Sequence, residues 1–291
     1  MKLRLVAMTC LAGIFFTASA NATTFFIDEL QITKNNNSNW FVDGFDDGVV
    51  PPSSESVFPD GAPAFYSTFP NPLPGPEQNS RVQMNTDEGK LTPSSVSGTS
   101  ILLQRARVLT NTSNDPNNNA GLKENHTFEV RGLFDLIEPT LEREVYGIRL
   151  TDFGSADPND NTQLQVQKSP TGEWRVRFIE ADVGLGVFDE LDSFLLPTVA
   201  QLGQYEQIAL MLTKGDVANR SITASFELID TDLSLPSLLV GMGGSAELFD
   251  GERWTRAGFL AVQVVPVPAT LLLMGLGLAG LGYQRTRQKA A

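Results

Sequence analysis

Between residues 23 and 264, apolar and polar side chains alternate in short runs, and clusters of glycine, proline, asparagine and serine separate the runs. In Glu173-Trp174-Arg175-Val176-Arg177-Phe178 the period is two. An extended strand would carry Trp174, Val176 and Phe178 on one face and the three charged residues on the other. The run from Ser221 to Leu228 repeats the pattern, with Ile222, Ala224, Phe226 and Leu228 on one side. Such runs predict strands near 25–33, 40–45, 101–109, 127–135, 144–153, 163–167, 173–180, 207–214, 221–229 and 257–264. The expected fold is all-β, an antiparallel two-sheet sandwich, and about 240 residues suffice to bury its core as one domain. Helical spacing is expected at most in 188–201. No internal repeat is found.

Residues 49–80 interrupt the alternation with eight prolines between Pro51 and Pro76 and the aromatics Phe58, Phe65, Tyr66 and Phe69. Proline cannot donate to a sheet ladder. The segment is therefore expected to be a long surface loop, with its aromatics either tucked against the sandwich or offered for binding.

Both chain ends depart from the strand pattern. Lys2 and Arg4, then the apolar stretch 5–16, then small residues have the order of a secretory signal peptide over 1–22, exported through the Sec translocon. Cleavage is expected after Ala20 or Ala22, and the second leaves Thr23 at the new terminus. The single cysteine, Cys10, falls inside this segment, so the mature body would hold neither a disulfide nor a thiol.

At the other end, Val265-Pro266-Val267-Pro268-Ala269 opens an uncharged run, 269–283, that is followed by Arg285, Arg287 and Lys289. The two prolines stop any upstream strand or helix, and the terminal cations would hold the end on the cytoplasmic side. As a helix the fifteen apolar residues span roughly 22 Å against a hydrocarbon core of about 30 Å. That is short for a permanent anchor and suits a membrane-spanning sorting helix destined for removal. Gly275-Leu276-Gly277-Leu278-Ala279-Gly280 has the glycine spacing of a dinucleotide-binding turn. That motif needs a second strand and a later acidic residue, and the remaining eleven residues contain no acid.

This tail resembles the PEP-CTERM sorting signal, with valine at Val267 where the pattern usually has glutamate. The resemblance covers about 27 residues, 265–291. It implies that an exosortase-type enzyme recognises Val265, Pro266, Val267, Pro268 and Ala269, removes the tail from the inner membrane, and sends the remainder to the cell surface or medium. The body resembles concanavalin-like or laminin-G-like jelly rolls in Asp43-Gly44-Phe45-Asp46-Asp47-Gly48, Phe128-Glu129-Val130-Arg131 and Tyr146-Gly147-Ile148-Arg149-Leu150. That resemblance implies two antiparallel sheets whose concave face or rim loops engage sugars. Fold alone does not establish such an activity.

Charge sharpens the partner expectation. The whole chain has net charge -13. The five Lys or Arg of 1–22 and 266–291 come with no acid, which leaves sixteen cations against thirty-four acids, or -18, on the body. Such a body repels nucleic acid and stays dispersed.

Chemical candidates are few. His126 is the single histidine, at an expected strand entrance, and reads as a capping or solvated residue rather than a triad base. Glu190-Leu191-Asp192 and Glu180-Ala181-Asp182 begin the carboxylate pattern of jelly-roll glucanases but lack its third member, so glycoside hydrolysis is the least favoured reading. Asp115, Asn117 and Asn119, then Asp157, Asn159 and Asn161, place oxygen ligands at alternate positions, but the glycine and bidentate glutamate of a calcium loop are missing. Turn tips explain them better, with calcium the one cofactor left open. Arg105, Arg107, Arg175 and Arg177 face outward in pairs and could meet an anionic polysaccharide, although cross-strand pairing with Glu129, Glu144 or Glu173 is the ordinary expectation. The sequence thus points to an exported, non-catalytic surface or matrix protein with exopolysaccharide as its working partner; the alternative is a lectin-like carbohydrate-binding module.

Overall fold

The computed structural model describes residues 25–44, 65–69, 82–83, 91–93, 100–109, 122–140, 144–152, 161–169, 171–182, 187–247 and 254–265. Its strands are β1 (Phe26–Lys34), β2 (Asn37–Asp43), β3 (Phe65–Phe69), β4 (Val82–Gln83), β5 (Leu91–Pro93), β6 (Ser100–Leu109), β7 (Leu122–Lys123), β8 (Phe128–Asp135) and β9 (Val145–Asp152). They continue with β10 (Asn161–Lys168), β11 (Trp174–Asp182), β12 (Val187–Leu195), β13 (Gln207–Lys214), β14 (Ser221–Ile229), β15 (Leu238–Gly241), β16 (Ala246–Glu247) and β17 (Trp254–Val265). Among the described residues there is no α-helix; two single 3-10 turns, Leu196–Thr198 and Leu202–Gln204, join β12 to β13.

The strands form two antiparallel sheets. The first runs β15-β14-β13-β8-β1-β2, with β16 beside β14 and β4 beside β1. The second runs β12-β11-β10-β9-β17-β6-β3, with β5 beside β6 and β7 beside β17. In chain order the strands change sheet after β2, β3, β4, β7, β8, β12 and β16. Inner faces meet in one core: Val130, Phe134, Leu210, Leu212, Phe226 and Leu228 from the first sheet pack with Tyr146, Ile148, Leu164, Val176, Phe178 and Phe259 from the second. Tyr146 joins the layers, its ring 4.7 Å from that of Phe25 and 5.6 Å from that of Phe134. Its buried hydroxyl accepts the Ile137 N–H at 3.3 Å.

Local chemistry sets the turns and the sheet spacing. Asn35 and Asn36 have φ of 49° and 66° and join Lys34 to its partner Asn37. This is the two-residue hairpin geometry that asparagine adopts more readily than most side chains. Asn35 also locks the neighbouring strand entrance, donating its N–H to Thr127 O and accepting the Thr127 N–H on its side chain. Gly147 lets β9 approach β10 closely, since a Cβ there would lie 2.3 Å from Leu164 O.

Two expectations need correction. The stretch 188–201 is not helical: it is strand β12 followed by a 3-10 turn. In β12 the pairing jumps from Phe178↔Asp192 to Ile179↔Glu190, so Leu191 is an extra residue. The bulge resets the period of two and puts Phe188, Leu191 and Phe194 at a spacing of three, which imitates a helix. Within 49–80, residues 65–69 are not loop but strand β3, paired along β6. Its sequence, FYSTF, is β-prone and holds none of the eight prolines that suggested a loop.

Candidate functional site

The strand that leads to the chain's end is not at a sheet edge. β17 lies between β9 and β6 and is hydrogen-bonded to both along most of its length. Val265 is its last residue, paired with Ser100, and Pro266, which has no N–H, follows directly. Of the expected recognition residues, Val265 therefore belongs to the folded sheet. Pro266, Val267, Pro268 and Ala269 lie outside the described residues, as do Ala20, Ala22 and the run 269–283. No described helix is long and apolar enough to cross a membrane.

The outer face of the second sheet is polar at its centre. Alternation places Gln163, Gln165 and Gln167 of β10 opposite the core-facing Leu164 and Val166. The register sets Gln163 beside Arg149 and Gln165 beside Arg177. Arg177 donates to Gln167 Oε1 at 2.5 Å, Gln165 donates to the same oxygen at 3.2 Å, and the Arg177 Nε pairs with Glu190. Arg175 pairs with Glu173 and lies 4.0 Å from the other oxygen of Glu190. Arg149 is buried on this face, and its row continues through Gly258 to the register position of Arg107, while Arg105 pairs with Leu260. Of the three expected acidic partners, Glu173 does pair with arginine. Glu144 is buried and accepts Thr140 N–H at 2.9 Å, and Glu129 accepts Thr213 Oγ1 at 3.2 Å. Glu190, whose motif was weighed in the sequence for glycoside hydrolysis, also pairs with arginine.

The remaining candidates have structural partners. His126 Nδ1 accepts the Lys123 N–H at 3.1 Å and its own N–H reaches Lys123 O at 3.0 Å, closing the turn before β8. Asp192 accepts the N–H groups of Ser193 and Gly243, tying β12 to the loop after β15. Asn161 is not a turn tip: it is the buried first residue of β10, and its side-chain oxygen accepts from Gln163. Asp115, Asn117, Asn119, Asp157 and Asn159 lie outside the described residues. Among the described residues, no three His, Cys, Asp or Glu side chains gather as a metal site.

Two buried lysines had no signal in the sequence. Lys34 and Lys214 flank Phe128 on one cross-strand row, on the inner face of the first sheet. The Lys34 ammonium sits 4.6 Å from the centre of the Trp40 ring, and Lys214 donates to Asp216 O at 2.5 Å. Burial lowers the Lys214 pKa, with Asp216 and Glu124 acting in the opposite direction. Each ends a strand, a position at which alternation reads lysine as a solvated cap.

Val265, the last residue of the central strand β17, is followed in the sequence by Pro266 and the apolar run 269–283. Residues 264–287 match the PEP-CTERM protein-sorting motif. The motif implies processing by an exosortase-type enzyme and sorting by way of the membrane toward the cell surface. No curated protein and no solved structure matches the chain.

Proposed function

We propose that this chain is a non-catalytic surface or matrix protein, trimmed at both ends, that associates with the cell's extracellular polysaccharide. The observation that carries the reading is the sorting motif at 264–287, joined directly to a folded sandwich. The arginine and glutamine rows outside the second sheet support the choice of ligand. They combine guanidinium groups, suited to carboxylate or sulfate, with amides that both donate and accept toward sugar hydroxyls. The engagement of His126, Glu190 and Asp192 in turn and strand contacts supports a role without turnover.

The test uses the purified segment 23–265 on a glycan array, in calcium and in chelator, alongside co-sedimentation with the cell's own exopolysaccharide. Co-sedimentation with a blank array is the expected outcome for a matrix role. Saturable binding to defined sugars would select the lectin-like module, and hydrolysis of a glycoside would overturn the non-catalytic reading.

A further inference from the structure

Both ends of the described body leave it on the same side. The chain enters at Phe25, whose ring packs on Tyr146, and β1 then pairs Ile27 with Phe134 near the end of β8. The segment after β8 leads to β9, whose first residue Val145 pairs with Val262, three residues before β17 ends. Phe25 and Val265 therefore share one end of the sandwich. The loop after β14 lies there too, because Ile229 pairs with Gln207, which pairs with Asp135. The loop after β13 is at the opposite end, beyond the row Lys34, Phe128, Lys214. The eight residues of β8 separate the two ends by roughly 25 Å at about 3.3 Å per residue.

The loop after β14 is built to display an apolar side chain. The Asp230 carboxylate accepts Asp232 N–H at 2.9 Å, Ser234 Oγ at 2.6 Å and Leu235 N–H at 2.7 Å. At the tip, Leu233 takes φ 57° and is 84% exposed. A leucine in the left-handed region carries a steric cost, and here it also presents its whole side chain to water. An apolar partner at this end would account for both.

The tail names that partner. β17 is hydrogen-bonded through Val265, so three residues, 266–268, connect the sheet to the apolar run 269–283. Fully extended they reach at most roughly 11 Å. A body on so short a tether meets the bilayer at high effective concentration with this end foremost.

We propose that, while the tail is in the membrane, the sandwich stands end-on against the bilayer and the Leu233 loop inserts into the lipid interface. This rests on the reading of 269–283 as a membrane-inserted sorting segment. Charge does not drive the contact: at this end Lys168 is paired with Glu138 at 3.0 Å, and Glu173, Glu206 and Asp232 are acidic. The tether and the apolar tip hold the orientation, so anionic lipid is not required.

The test reconstitutes residues 23–291, which contain no cysteine, into vesicles of zwitterionic phosphatidylcholine. A polarity-sensitive fluorophore is placed at Leu233→Cys or, at the opposite end, at Val217→Cys, a position 54% exposed. The expected result is a blue shift and strong quenching by lipid-borne nitroxide at 233, with several-fold less at 217. A twenty-residue Gly-Ser spacer between Val265 and Pro266 should remove most of that difference. Equal quenching at both positions, or a contrast that ignores the spacer, would overturn the end-on contact. A chain that does not float with the vesicles overturns the reading of the tail as well, whereas one that floats with its 233 label in water overturns the orientation alone.

Discussion

Lys214 and Tyr146 are both buried in the core region, and their titrations act with opposite signs. Burial lowers the lysine, so between its folded pKa and the unfolded value of about 10.4 the unfolded chain binds more protons and stability rises with pH. Burial raises the tyrosine well above the usual range, so above about pH 10 the unfolded chain loses a proton that the folded one keeps, and stability falls. Melting temperature plotted against pH should therefore climb on the alkaline side and then turn down. Lys214→Met is expected to flatten the climb and keep the fall, and Tyr146→Phe to do the reverse. Trp174 offers a separate comparison. It packs in the core, but its indole N–H has no partner. Trp174→Ala should cost about 3 to 5 kcal/mol. Trp174→Phe should cost less than about 1.5 kcal/mol, because it also removes a donor that is unsatisfied when buried. Arg175→Ala, losing the part-exposed pair with Glu173 and the 4.0 Å contact with Glu190, should cost about 1 kcal/mol or less in urea unfolding.

Among the elements, β8 and β14 were legible because each alternates a dry face with a wetter one, whereas β13, buried on both faces from Ile208 to Leu212, was legible as a short apolar run. The expected 207–214 and 221–229 agree with β13 and β14 to the residue, β8 differs by one residue at its start, and β9 by one residue at each end. What was lost is where sequence alternation breaks. β12 hides behind its bulge, and β15 is four residues at a sheet edge whose burial alternates while its exposed Leu239 is apolar, so its sequence does not. The outward arginines could be read as pairs on strands, but the meeting of Arg177, Gln167 and Glu190 depends on register across three strands, which local pattern does not contain. The spacing of β9 and β10 is a further fact invisible in the sequence. Gly147→Ala should cost about 3 kcal/mol, because its methyl would meet strand backbone rather than a flexible side chain. Gly203→Ala, where a Cβ would meet nothing within 4 Å, should change stability by less than about 0.5 kcal/mol. Denaturation midpoints of the two variants test the contrast.

For the whole molecule, the boundary between body and tail can be placed by truncation. A chain ending at Val265 keeps every described pairing of β17 and should melt where the tail-bearing form does. One ending at Ala261 loses the partners of Val145 and of residues 100–103 and should melt far lower or not fold. Circular dichroism of 23–265 should be β-dominated, and its midpoint indifferent to reducing agent, since the one cysteine lies at position 10. The tail was legible because its signal is local: prolines, an uncharged run and basic residues in order. The orientation it imposes was not, because that depends on which end of the sandwich β17 leaves.

The position of β17 also bears on when the protein can fold. Its residues are the last of the body to be synthesised, yet they form a central strand of the second sheet, between β9 and β6. Until they arrive, β6 and β3 have no sheet to join, and β9 shows an open edge. A chain threading through a membrane from its N-terminus would thus stay incomplete, and easy to draw through a narrow channel, until all but the final 26 residues had crossed. The order of strands leaves the second sheet to be completed only when β17 is available.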